Sequence, residues 1–149
     1  MLATLVTVLL SGAPLAEGTC DLWQGSMWGN DPNVKTRMML CRRGNTVCGE
    51  LAWSGRSGEN VRELKGHVDG DVLLLSDERF LQNAPRDGWV FCLIDRYTLK
   101  KNPTTGALEG RYVSKACRDE AKVNIKAVAR PEQPFLVSCF DRSGTRAER

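Results

Sequence analysis

The chain is poor in the residues that most often carry chemistry. It has a single histidine, His67, and none of its six cysteines stands in a CxxC spacing. A zinc site therefore has too few ligands at metal-binding distances, and no metal or cofactor is expected. Charge of one sign is also lacking: 21 basic and 18 acidic residues leave a net +3. The bases are scattered along alternating positions rather than gathered into the patch that nucleic-acid binding requires. The apolar run from Leu2 to Leu10 is too short to span a bilayer, so no transmembrane segment is expected. No stretch shows a helical period of useful length, and no catalytic motif stands out.

What is present begins with a leader-like start. The run Leu2–Leu10 suits the apolar region of a signal peptide, and Ala16 and Gly18 satisfy the small-residue rule for cleavage before Thr19, although no Lys or Arg precedes the run. The expected division is a signal peptide over 1–18, a β-barrel domain over 19–141 and a flexible tail over 142–149. Thr19 just ahead of Cys20 is not the small residue of a lipid-anchoring signal. Six cysteines behind such a leader imply a disulfide framework in a secreted or periplasmic protein.

Three hairpins can be argued residue by residue. The first folds about Gly44-Asn45 and places Cys41 opposite Cys48, Leu40 opposite Gly49, Met38 opposite Leu51 and Thr36 opposite Trp53. One face is apolar; the other carries the cysteines with Arg37, Arg43 and Glu50, the alternation of a half-buried antiparallel ribbon. The second uses Asp69-Gly70 as a two-residue turn, setting Gly66 opposite Leu73, Leu64 opposite Leu75 and Arg62 opposite Asp77. The third closes on Pro103-Thr104-Thr105-Gly106, and its register aligns Tyr97 with Tyr112, Lys100 with Glu109, Asp95 with Ser114 and Cys92 with Cys117.

Adding Leu22–Trp28 in front and Ala121–Val128 behind makes eight strands. The expected fold is all-β, an eight-stranded antiparallel up-and-down barrel, because closure removes both sheet edges; an open sandwich is the alternative. Gly49, Gly66 and Gly110 fall on the inward face and are read as allowing tight strand coiling. The hairpin registers suggest disulfides Cys41–Cys48 and Cys92–Cys117, leaving Cys20 for Cys139 in the segment Phe135–Phe140, which would strap the barrel or extend an edge.

The stretch Leu40-Cys41 through Cys48-Gly49-Glu50-Leu51-Ala52-Trp53 resembles a hairpin of small secreted bacterial proteins of lipocalin-like fold and mostly unknown function. The opening Trp23-Gln24-Gly25-Ser26-Met27-Trp28 is similar to the Trp/Gly-rich first strand of lipocalin-like (calycin) barrels. The resemblance covers about residues 22–54. It implies a ligand-holding barrel and carries over no catalytic residues.

The tight turns at 44–45, 69–70 and 103–106 gather at one end, and the longer links 29–33, 55–60 and 78–87 at the other. A cup binds at its loop-rich mouth. Candidate ligand-binding residues are Trp53, Arg62 and Trp89 near that mouth, with Thr36, Asp77 and Phe91 beside them, and Asp95, Tyr97, Tyr112 and Ser114 deeper inside. Arg62 and Asp77 can pair at the rim. Asp95 needs partners on an otherwise apolar face, so a self-satisfied polar cluster competes with a ligand site. Phe80 and Leu81 can serve as a lid or a partner contact, and His67 belongs on the surface. Asp95 with Tyr97 or Ser114 is the only acid–base pairing available, and no enzyme is expected. The expectation is a small, partly apolar ligand in the cup. The alternative is a module that binds a secreted protein, such as a hydrolase inhibitor acting through the mouth loops.

Overall fold

A computed structural model describes residues 13–128. Eight strands follow one another as β1 (Cys20–Trp28), β2 (Val34–Arg43), β3 (Thr46–Gly55), β4 (Gly58–Asp69), β5 (Val72–Pro85), β6 (Arg96–Lys101), β7 (Leu108–Ser114) and β8 (Asp119–Val128). Each pairs antiparallel with the next, and β8 returns to β1, so the sheet is a closed barrel. Closure removes the sheet's free edges except along the far half of β5, which has no strand partner on the β6 side beyond Ser76. No helix among the described residues is long and apolar enough to cross a membrane.

The first and third hairpins keep the registers read from the sequence. Met38 faces Leu51 and Leu40 faces Gly49; Tyr97 faces Tyr112 and Lys100 faces Glu109. The second differs. Its turn is Gly70-Asp71, so Gly66 pairs with Leu75 and Leu64 with Asp77. A shift of two residues preserves the faces, which is why hydrophobic alternation does not distinguish the two registers. Beyond it, irregularities at Val61/Arg62 and Glu63/Leu64 set Arg62 opposite Phe80.

The link expected over 78–87 is instead the far half of β5, hydrogen-bonded to β4 as far as Gly58 opposite Pro85. Phe80 and Leu81 are strand residues, not a lid. The link expected over 55–60 shrinks to Arg56-Ser57. The long mouth loop is residues 86–95, which carries Trp89 and Phe91 outside any strand. The ladder of the third hairpin accordingly ends at Arg96 opposite Val113.

The inward glycines sit where strands approach closely. A Cβ at Gly49 would stand 1.7 Å from the Met39 carbonyl oxygen, and one at Gly66 1.8 Å from that of Leu74. They permit strand coiling, because a side chain there would collide with the neighbouring strand's backbone.

Among the described residues two disulfides are formed, Cys20–Cys41 and Cys92–Cys117. The second is the expected pair, bridging the 86–95 loop to the turn after β7. The expected bonds Cys41–Cys48 and Cys20–Cys139 are overturned, because Cys41 bonds to Cys20 and Cys48 is a free, buried thiol. Cys139 lies outside the described residues. The reason for the choice lies in the ladder. Arg42 turns its N–H to Thr19 O (3.0 Å) and accepts from Gly18 N–H (2.9 Å), so by alternation Cys41 directs its own peptide groups toward β3. Cys41 and Cys48 thus share a hydrogen-bonded position, where side chains lie farther apart. Cys41 and Cys20 share a non-hydrogen-bonded one, where they are closer.

The tight-turn end is apolar. Val47, Leu73, Leu99 and Leu108 are fully enclosed there. Leu15, from the stretch read as leader, packs into the same cluster, and its carbonyl accepts from Arg42 Nη1 at 2.7 Å.

Candidate functional site

The mouth half of the barrel is organised around one buried arginine. Arg62 is 1% exposed and stands on β4 where the sheet is irregular. Its Nη1 donates to Asp77 Oδ2 and to Asp95 Oδ2, both at 2.7 Å, and its Nε donates to Asn60 Oδ1 at 2.8 Å. Tyr97 donates to Asp77 Oδ2 and Tyr112 to Asp95 Oδ2, each at 3.0 Å. Asp77 Oδ1 also accepts the Asp95 backbone N–H at 3.0 Å, anchoring the end of the mouth loop. Residue 94, just before it, is held at φ 61°, the left-handed region a β-branched side chain rarely enters. Asp95 thereby points inward although it precedes β6.

Aromatic rings close over the guanidinium. The Arg62 Cζ lies 4.9 Å from the Trp53 ring centroid, 5.2 Å from Phe80 and 5.9 Å from Phe91. Trp53 meets Tyr112 edge-on at 5.5 Å, and Tyr97 lies 5.3 Å from Tyr112. Cation–π contact suits a charge withdrawn from water, since the ring faces replace part of its hydration.

Two carboxylates and one guanidinium are enclosed together, and the proton affinities of Asp77, Arg62 and the two tyrosines reflect it. Burial pushes the Asp77 carboxyl above its ordinary value, with the Arg62 charge pulling partly the other way. Burial and the Asp77 charge raise Tyr97 well above the usual phenol range; burial and Asp95 raise Tyr112 likewise. Desolvation opposes the charge on Arg62, but its interactions with Tyr97, Asp77 and Asp95 outweigh this and drive its pKa upward. Arg62 stays a cation and both tyrosines stay protonated donors.

Above this cluster is a cavity of about 280 Å³, open at the mouth and lined by Trp53, Trp89, Phe91, Tyr112, Arg62 and Asp31, with Ser57 beside them. Asp31, 4% exposed, accepts the Ser57 amide (3.0 Å) and hydroxyl (2.7 Å) through Oδ2. Its Oδ1 and the Nε1 of Trp53 are buried with no hydrogen-bond partner among the described residues.

Of the residues singled out from the sequence, Trp53, Arg62, Trp89 and Tyr112 come together around this cavity. Asp95 and Tyr97 lie beneath it as supports for Arg62. Ser114 does not line the cavity: its side chain hydrogen-bonds Tyr112 from below, and its hydroxyl accepts the Cys117 amide at 3.2 Å, capping the turn after β7. Arg62 and Asp77 do pair, but through a buried bond, not at an exposed rim. Thr36 is buried on β2 and bonds back to Val34 O. His67 is exposed, as expected. Asp31, Ser57 and Asn60 were not singled out. Two sit in short connections with no strand parity, and Asn60 is aimed inward by β4. Among the described residues no group of His, Cys, Asp and Glu is arranged to hold a metal ion.

No family model matches the chain, and no curated protein matches it.

Proposed function

We propose that this barrel is an exported, lipocalin-like binding protein that holds a small, partly apolar ligand at its mouth. The carrying observation is the cavity of about 280 Å³ walled by Trp53, Trp89, Phe91 and Tyr112. Apolar walls with a few convergent polar groups are the usual make-up of a small-ligand site. Trp53 Nε1 supplies a donor and Asp31 Oδ1 an acceptor, and leaving either unpaired costs about 1–3 kcal/mol. A ligand with a carbonyl or ether oxygen and a hydroxyl or amine would recover both. Arg62 acts as the floor, since its donors are engaged with Asn60, Asp77 and Asp95. In this reading the protein binds and does not catalyse, because Asp77 and Asp95 are committed to Arg62 beneath the cavity.

Native mass spectrometry of protein purified from its own source tests the reading. A retained small molecule, lost in Trp89→Ala, is expected. Unliganded protein that also fails to bind any member of a small-molecule library would overturn it.

One observation favours the second reading, a module that binds a secreted protein. Val90 and Ile94 are 76% and 64% exposed on the 86–95 loop, which the Cys92–Cys117 bond holds in place. A loop ordered in advance loses little entropy on binding. Loss of a partner on Val90→Asp with small-ligand binding intact would support it.

A further inference from the structure

Among the described residues the buried charges are paired, with one exception. Arg62, Asp77, Asp95 and Asp31 are all buried. The first three are joined by two ion pairs, each at 2.7 Å. Asp31 has no cation within ion-pair distance among the described residues. Its Oδ2 accepts the Ser57 amide and hydroxyl, while its Oδ1 is buried with no hydrogen-bond partner. An enclosed carboxylate that lacks a counter-charge and leaves one oxygen unbonded is costly, and such a group calls for a partner from outside the fold.

Asp31 lines the mouth cavity, so that partner has to come from within it. The rest of the wall suits a cation. Trp53, Trp89, Phe91 and Tyr112 present aromatic rings, whose faces attract positive charge. The attraction is already visible in Arg62, whose Cζ stands 4.9 Å from the Trp53 centroid and 5.9 Å from that of Phe91. Arg62 does not oppose a second cation, because Asp77 and Asp95 answer its charge from beneath. Asp119 adds a carboxylate to the wall, held where its Oδ1 accepts the Asn30 N–H at 3.1 Å. Asp31 is also fixed in advance. Its carbonyl accepts the Gly29 N–H at 3.2 Å, and a Cβ at Gly55 would stand 2.6 Å from its Oδ2, so the end of β3 is kept bare to admit it. A carboxylate positioned before binding loses little freedom when it is engaged.

We propose that the ligand of this cavity, on the reading of it as a binding site, is an organic cation: a protonated amine with an aromatic or short aliphatic body. Its N–H donates to Asp31 Oδ1, and its body lies among the rings. The N–H matters as much as the charge, since Oδ1 lacks a donor and a quaternary ammonium has none to give. An anion would meet Asp31 and Asp119 directly, and a neutral ligand forms no ion pair.

Calorimetric titration of the full chain with matched ligand series tests this. The probes are 2-phenylethylamine, tryptamine and hexylamine, then the alcohol and the carboxylate of each skeleton; the amines are cations at neutral pH. At least one amine is expected to bind about 10- to 100-fold more tightly than its alcohol, the worth of one charge-assisted hydrogen bond. No carboxylate should match its alcohol, and trimethylation of the best amine's nitrogen should forfeit most of the advantage. These comparisons use the wild type alone and depend on no variant folding. Asp31→Asn keeps an oxygen for Ser57 but removes the charge, and it should bring amine and alcohol to parity. An amine preference that survives Asp31→Asn would overturn Asp31 as the contact. Alcohols or carboxylates that bind as tightly as the amines would overturn the cation and leave the cavity a ligand site. Binding of none of these probes would also overturn the cation, while the cavity as a site would fall only with the retained molecule and the library.

Discussion

The two ends of the barrel interior solve the same packing problem with opposite chemistry. At the tight-turn end, Val47, Leu73, Leu99 and Leu108 fill the space with aliphatic side chains that need only volume and contact. At the mouth, Arg62, Asp77 and Asp95 are equally enclosed, but each depends on named partners at 2.7–3.0 Å. An aliphatic core tolerates exchange between side chains of similar volume. A buried ionic cluster does not, because removing one member strands the charge of another. The mouth is therefore the half in which single substitutions have specific consequences, and it is the half that faces the cavity.

Breaking the ionic cluster should produce the largest effect. Arg62→Ala leaves two enclosed carboxylates without their cation and removes the floor beneath Trp53. A loss of about 3–5 kcal/mol is expected by urea denaturation; a loss below 1 kcal/mol would mean that water reaches the site. At the aliphatic end, Leu73→Ala should cost about 2–5 kcal/mol by cavity formation alone. The two differ in their rescue. Leu73→Met should recover most of the stability, whereas Arg62→Met should not, because volume is not what Arg62 supplies.

Tyr97→Phe tests the cluster more gently. It withdraws one donor from Asp77 while keeping the ring against Tyr112 and should cost about 1–2 kcal/mol. The matching removal of a Cβ branch at the other end, Val47→Ala, should carry no dependence on pH.

That dependence is the smallest effect and the most specific. Burial raises the folded-state pKa of Asp77 above the ordinary 3.8, so the folded protein holds this proton more tightly than the unfolded chain. The contribution is fully present below the unfolded value and is lost as pH rises through the folded one. Relative to Asp77→Asn, the wild type should lose stability as pH climbs from about 4 toward neutrality. A pH-independent difference between the two would contradict the assignment.

Much of the architecture is legible without coordinates. The Gly44-Asn45 turn and the 103–106 loop, with Gly106 at φ 73°, set two registers, and the alternation in β8 sets its inward face. Local chemistry suffices there because turn residues and period-two patterning act over a few positions. The second hairpin escaped it, since Asp69-Gly70 and Gly70-Asp71 are both plausible turns and produce identical faces. Arg62, Asp95, Tyr97 and Tyr112 were legible as inward polar residues needing partners. Their arrangement was not: the β4–β5 irregularities that aim Arg62 between the two aspartates leave no mark on the hydrophobic pattern.

The sequence by itself determined an eight-stranded antiparallel barrel, the Cys92–Cys117 bond and a polar interior near the loop-rich end. These follow from alternation and turn chemistry, which are local. Only the tertiary structure decided that Cys41 joins Cys20, that Leu15 plugs the tight-turn end and that Asp31 and Trp53 share a cavity. Each of these depends on which strand edge or chain segment arrives alongside, a matter of closure around the barrel that no single stretch of the chain encodes.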